Sequence, residues 1–83
     1  MKYSYPAIFE EDAENPEYIC VTIPDVEGAI TFGFGEENAL AMAKDLLREM
    51  LVFSSNKCGT PHTLEEALEF YPSKKVVMID VEI

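Results

Sequence analysis

Glu36-Glu37-Asn38-Ala39-Leu40-Ala41-Met42-Ala43-Lys44-Asp45-Leu46-Leu47-Arg48-Glu49-Met50-Leu51-Val52-Phe53 contains neither Gly nor Pro. It is rich in the unbranched residues that lose little rotamer freedom in a helix. Stepping ~100° per residue puts Ala39, Met42, Ala43, Leu46, Met50 and Phe53 on one side, with Leu40, Leu47 and Leu51 on the shoulder. The apolar arc spans about half the circumference, wider than the ~100° stripe needed to cover a core. The pattern predicts one long helix lying on a sheet, with Leu46 near the middle of its buried face and a shoulder left for a second contact.

Three alternating runs precede the helix. Tyr3, Tyr5, Ala7 and Phe9 alternate with Ser4, Pro6 and Ile8, so this run reads as a strand in which Pro6, lacking an N–H, must face no ladder partner. The acidic stretch Glu10 to Glu17, with Asn15-Pro16 inside it, reads as a turn. Tyr18 to Ile23 sets Ile19, Val21 and Ile23 against Tyr18, Cys20 and Thr22; Pro24-Asp25-Val26-Glu27-Gly28 is the next turn. Ala29 to Phe34 sets Ile30, Phe32 and Phe34 against Ala29, Thr31 and Gly33. Short turns between consecutive runs favour an antiparallel meander. Gly35 can cap the helix, and Glu36 and Glu37 suit the positive end of its dipole.

After Phe53 a polar loop runs through Gly59 and Pro61. Thr63 with Glu66 three residues on makes a capping box for a short helix, Leu64 to Tyr71, stopped by Pro72. Its Leu64, Ala67, Leu68 and Tyr71 are expected on the spare shoulder of the long helix. The chain closes on a strand, Val76 to Ile83, with Val77, Ile79, Val81 and Ile83 on one face. The order is βββα, short α, β: an α+β single domain over 1–83, with one helix covering a four-stranded sheet. A right-handed crossover through the long helix would bring the last strand beside the first and parallel to it.

Composition narrows the function classes. Sixteen acidic against six basic residues give a formal net charge of −10. Nucleic-acid affinity comes chiefly from cations that release phosphate counterions, so direct nucleic-acid binding by this chain is not expected. Glu10, Glu11, Asp12, Glu14 and Glu17 crowd one segment, either a solvated turn or a patch that steers a basic partner. No apolar run of membrane-spanning length exists, and Met1-Lys2-Tyr3-Ser4-Tyr5-Pro6 lacks a signal-peptide core, so a cytoplasmic, non-membrane protein is expected. Cys20 and Cys58 have neither disulfide-framework nor zinc-ligand spacing and read as free thiols.

Catalytic chemistry is sparse. His62 stands alone beside Pro61, without a motif-borne nucleophile or a second histidine. A two-metal nuclease needs several acids converging on paired ions, and Ser4 to Phe9 offers none to join Asp80 and Glu82 of the last strand. No catalytic residue, metal site or cofactor is assigned, and the expectation is a protein that is not an enzyme.

Tyr5-Pro6-Ala7-Ile8-Phe9-Glu10, the acidic turn, Ile23-Pro24-Asp25-Val26-Glu27-Gly28, then Ile30-Thr31-Phe32-Gly33 followed by Glu37-Asn38-Ala39 and Ala43 form an ordered set. In that order it resembles the HicB family of antitoxins, from about Tyr3 to Pro61. The resemblance implies a partial ribonuclease H-like fold without nuclease chemistry. It also implies a protein that neutralises a small basic RNA-cleaving HicA toxin by covering its catalytic histidine, as a homodimer or higher oligomer. Ala29 stands where a cysteine is frequent in that family, and Phe34-Gly35 replaces a more polar helix entry. The chain ends at Ile83, without the DNA-binding segment many members carry, which argues against operator binding. The partner-binding residues expected on charge are Glu10, Glu11, Asp12 and Asp25. The competing readings are an orphan HicB-like scaffold for another basic protein and a remnant metal-dependent nuclease.

Overall fold

The computed structural model describes all residues from Met1 to Ile83. Strands β1 (Lys2–Glu11), β2 (Tyr18–Thr22) and β3 (Ile30–Phe34) lead into helix α1 (Glu36–Phe53). A single 3₁₀ turn (Ser55–Lys57), helix α2 (Leu64–Phe70) and strand β4 (Lys75–Glu82) follow. The long helix occupies the span its composition predicts. The capping box is formed in both directions: Thr63 Oγ1 accepts from the Glu66 N–H and Glu66 Oε1 accepts from the Thr63 N–H.

The four strands make one sheet in the order β3-β2-β1-β4, every neighbouring pair antiparallel. The last strand therefore lies beside the first, as expected, but runs opposite to it. Going directly from α1 into a strand would have given the parallel crossover. Instead the loop, the 3₁₀ turn and α2 carry the chain back to the end of the sheet where α1 begins, and there Lys75, first residue of β4, pairs with Glu36, first residue of α1. Backbone bonds between Met1 and Ile83 close the far end of β1·β4. Pro6 pairs with Met78 of β4, while pairing of β1 to β2 starts only at Ile8, so no ladder bond is lost at the proline.

The core lies between the sheet and α1. Tyr5, Ala7, Phe9, Ile19, Val21, Ile23, Ile79 and Val81 contribute the sheet side, in the alternation read for β1, β2 and β4. Two expectations are corrected, and the covered side of β3, which alternation leaves open, is decided. The buried stripe of α1 is centred on Ala39, Ala43 and Leu47, all fully buried, so Leu47 rather than Leu46 is the central leucine; Leu46 is half-buried, Met42 is 39% exposed and Phe53 81%. On β3 the inner residues are Ala29 and Gly33, and the larger Ile30, Phe32 and Phe34 face outward. Both follow from a close approach: a Cβ on Gly33 would lie 2.2 Å from the Ala39 Cα, so small residues on the strand meet small residues on the helix. Gly35, at φ 82°, makes the left-handed turn that sends the chain straight from β3 into α1.

Second, α2 does not cover the shoulder of α1. Ala67 and Ile8 are buried but stand outside the core cluster, and Ala67 shares a small cavity with Pro6, which lies on the outward side of β1. The short helix thus packs on the opposite face of the sheet from the long one. Because it is only seven residues long, it covers part of that face and leaves the remainder open.

Candidate functional site

Strand register decides which side chains share the outer face. Ile8 pairs with Thr22 and Thr22 with Ile30; Glu10 pairs with Cys20 and Cys20 with Phe32; Tyr18 pairs with Phe34. Around Pro6 and Ile8 the face is closed by α2. Over β2 and β3 nothing lies on it, and Tyr18, Ile30, Phe32 and Phe34 are 46%, 57%, 61% and 55% exposed. Tyr18 and Phe34 meet edge to face with ring centroids 5.0 Å apart, so the strip is locally ordered. Contiguous exposed apolar surface of this kind marks an interaction site in a small domain.

Three of the four acids expected on charge border this strip. Glu10, Glu11 and Asp12 line one groove of about 240 Å³ with Tyr18, Cys20 and Phe32. Glu10 sits at the end of the row Glu10, Cys20, Phe32 and carries an exposed ion pair to Lys74 at 2.6 Å; a pair this exposed contributes little and exchanges readily for another cation. Asp12 shapes the turn, its Oδ1 accepting from the Glu14 and Asn15 N–H groups.

Asp25 is elsewhere and otherwise engaged. Its side chain is 10% exposed, Oδ1 lies 2.6 Å from His62 Nδ1, and Oδ2 accepts from the His62 N–H at 3.0 Å. The Asp25 carbonyl accepts from the Gly59 N–H, Val26 bridges Cys58, and Tyr5 Oη donates to the Gly59 carbonyl at 2.7 Å. The structure makes Asp25 the anchor of the loop joining the two helices rather than part of the acidic rim. The same bonds account for His62, whose ring also stands edge-on to Phe70 at 5.2 Å. Burial, then the nearby Cys58, Asp25 and Tyr3, push the Tyr5 hydroxyl above its ordinary range; burial alone raises the Cys58 thiol. Both groups are held protonated, a poor state for a nucleophile.

No three of the His, Cys, Asp and Glu side chains converge as a metal site would require. Asp80 accepts a hydrogen bond from Ser4 Oγ at 2.6 Å. A larger concavity, about 490 Å³, opens at the opposite sheet edge among Lys2, Lys44, Arg48, Asp80 and Glu82, with cations and acids mixed. No helix is long and apolar enough to cross a membrane. Sequence reasoning missed Phe32 and its neighbours as site residues because alternation alone leaves open which side of β3 is covered. The signal that could have found them is the smallness of Ala29 and Gly33, which matches Ala39 and Ala43.

No protein-family profile matches this chain, and no curated protein does. Among solved structures, it is similar to a chain of one described as a toxin-antitoxin complex from Streptococcus pneumoniae. The likeness is one of fold. It has a TM-score of 0.72 at 23% identity and spans 99% of this chain and 70% of that one. An α+β domain with a four-stranded antiparallel sheet and two helices is thus common to both.

Proposed function

We propose that this chain is the antitoxin-type member of a toxin-antitoxin pair, HicB-like with a partial ribonuclease H-like fold, and that it binds a small basic RNA-cleaving toxin of HicA type. The observation that carries the reading is the apolar strip of Tyr18, Cys20 and Phe32 bordered in one groove by Glu10, Glu11 and Asp12. An enzyme that cleaves RNA must present cations to phosphate. A partner of charge −10 is drawn to that same surface, while desolvated aromatic contacts hold it there. Covering the phosphate-binding surface blocks substrate entry, so inhibition needs no chemistry from this chain. The fold shared with a chain of a toxin-antitoxin complex supports the assignment.

The test mixes the purified protein with the product of an adjacent small basic reading frame and follows RNA cleavage. Stoichiometric loss of cleavage, reversed by Phe32→Glu, is the expected result. Cleavage at the rate of the toxin alone would overturn the reading and favour an orphan scaffold for another basic protein.

A further inference from the structure

The two edges of the sheet differ in how they are guarded. On one, β4 carries Lys75, Asp80 and Glu82, and charge of this kind ordinarily blunts an edge. On the other, Gly28-Ala29-Ile30-Thr31-Phe32-Gly33-Phe34-Gly35 has no charged residue and no proline. Hydrogen bonding fixes which backbone groups of β3 are free. The Ile23 N–H donates to the Ala29 carbonyl and the Gly35 N–H to the Glu17 carbonyl, so Ala29, Thr31, Gly33 and Gly35 address β2. By the same alternation Ile30, Phe32 and Phe34 turn their N–H and C=O groups away from it. The Phe34 N–H is met by Asn38 Oδ1 at 2.8 Å. Both groups of Ile30 and Phe32, and the Phe34 carbonyl, form an open row.

The bond from Phe34 to Asn38 also shows which flank of α1 stands over the edge. Asp45 and Glu49 fall within ~20° of Asn38 around the helix, and both are exposed. Asp45 has one loose contact, Arg48 at 3.6 Å. Side chains of a strand added beside β3 would alternate between two unlike surroundings. Those in line with Ala29, Thr31 and Gly33 would face this acidic flank. Those in line with Ile30, Phe32 and Phe34 would continue the aromatic strip of the outer face. The cations of the chain are spent elsewhere. Lys74 and Lys75 are paired to Glu10 and Glu36, and Lys2, Lys44 and Arg48 line the concavity at the opposite edge. Lys57 alone stands near β3, its carbonyl accepting the Glu27 N–H.

We propose that an extended cationic segment of a partner protein adds to β3 as a fifth strand, with lysine or arginine alternating with apolar residues. Its cations point inward to Asp45 and Glu49, and its apolar side chains lie outward beside Ile30, Phe32 and Phe34. Main-chain bonds to Ile30 and Phe32 supply the pairing, and the alternation supplies the selectivity. A second copy of this chain does not fit that role, because its own β3 carries no cation and it brings a charge of −10 against the same acids. Phe32 serves two surfaces, its side chain the groove of Glu10, Glu11 and Asp12 and its backbone the edge. Assigning the segment to the toxin rests on the reading above; the pairing itself does not.

The test uses the full chain and an end-blocked synthetic octapeptide alternating lysine and valine, with no toxin present. Without peptide, the Ile30 and Phe32 amides should exchange fast, while Thr31 and Gly33, bonded to β2, exchange slowly. With free peptide at ten times its Kd, exchange at Ile30 and Phe32 should slow about tenfold. The glutamate–valine counterpart should leave both amides fast. Asp45→Lys combined with Glu49→Lys changes only exposed side chains; it should weaken binding of the lysine–valine peptide about tenfold at low salt and admit the glutamate–valine one. No binding at millimolar peptide, or binding that leaves Ile30 and Phe32 fast and so lies on the outer face, would overturn the proposal. Equal binding of the two peptides, or an affinity unmoved by the double reversal, would do the same. RNA cleavage plays no part in this readout. A toxin that still cleaves in the mixing assay while the edge is protected by peptide would strike the toxin reading alone.

Discussion

The two halves of the outer sheet face are built from similar residues and meet different fates. Over β1 and β4, Pro6 and Ile8 are buried, and Pro6 shares a small cavity with Ala67 of α2. Over β2 and β3, Ile30, Phe32 and Phe34 remain more than half exposed. Side-chain chemistry does not separate the halves, since phenylalanine is more apolar than proline. The reach of α2 does: seven residues at ~1.5 Å rise cover about 10 Å, roughly two of the three strand spacings in the four-stranded sheet. A short helix thereby divides one sheet face into a structural half and a half available for binding.

The sharpest way to break this division is to place a charge on each side of it. Leu47→Asp, in the fully buried centre of α1, should unfold the protein at 25 °C, because the ~1.5 to 3 kcal/mol of leucine burial is lost and an unpaired carboxylate is buried. Phe32→Glu on the open half should leave the thermal midpoint within a few degrees, as expected for an exposed site (about 0.5 kcal/mol). Leu46→Asp should fall between the two. Equal midpoints for the Leu47 and Phe32 variants would remove the distinction between covered and open surface.

Gly33→Ala probes why the aromatics face outward. Its new Cβ would be driven into Ala39, at a cost of about 1 to 3 kcal/mol, seen in denaturant midpoints. Retention of wild-type stability would mean that the close approach of β3 to α1 is not what turns Phe32 out.

Loosening the cover alone is a gentler test. Thr63→Ala removes the cap of α2 and should cost about 1 kcal/mol while leaving the Tyr18 and Phe34 environment, read by near-ultraviolet dichroism, unchanged. The same cap has a pH signature. The Thr63 N–H holds the Glu66 carboxyl below its ordinary range. A carboxylate with a lowered folded-state pKa adds stability above the ordinary glutamate pKa, and this is lost as pH falls through the lowered value. Glu66→Gln should therefore lower stability at neutral pH, flatten the acid limb of the stability curve, and converge with the wild type once pH has fallen below the lowered value.

The smallest effect on stability, and the most informative for binding, belongs to the rim. Reversing Glu10, Glu11 and Asp12 to Lys gives up one exposed ion pair, at most about 1 kcal/mol, together with the two exposed turn hydrogen bonds that Asp12 accepts. It should slow association with a basic partner strongly at low salt and weakly at high salt, with dissociation nearly unchanged. Asp25→Asn should instead leave the association rate unchanged and loosen the loop that carries His62.

By itself the sequence determined the elements and their order. The span Glu36 to Phe53, the alternation from Tyr18 to Ile23 and the capping box at Thr63 all rest on local periodicity or cap chemistry, which act within a few residues. Periodicity says that a strand or helix has two unlike sides and is silent on which of them will be covered. That choice was tertiary. The contact of Gly33 with Ala39 turned Ile30, Phe32 and Phe34 outward and moved the buried stripe of α1 onto Leu47. The return of the chain through α2 made β4 antiparallel, and the hydrogen bonds of Asp25 to His62 withdrew one acid from the surface. Each depends on atoms that meet only once the chain is folded. The groove where Glu10, Glu11 and Asp12 join Tyr18, Cys20 and Phe32 is therefore half legible beforehand: its charge is written in a single stretch, and its apolar floor comes from strands that only the sheet brings together.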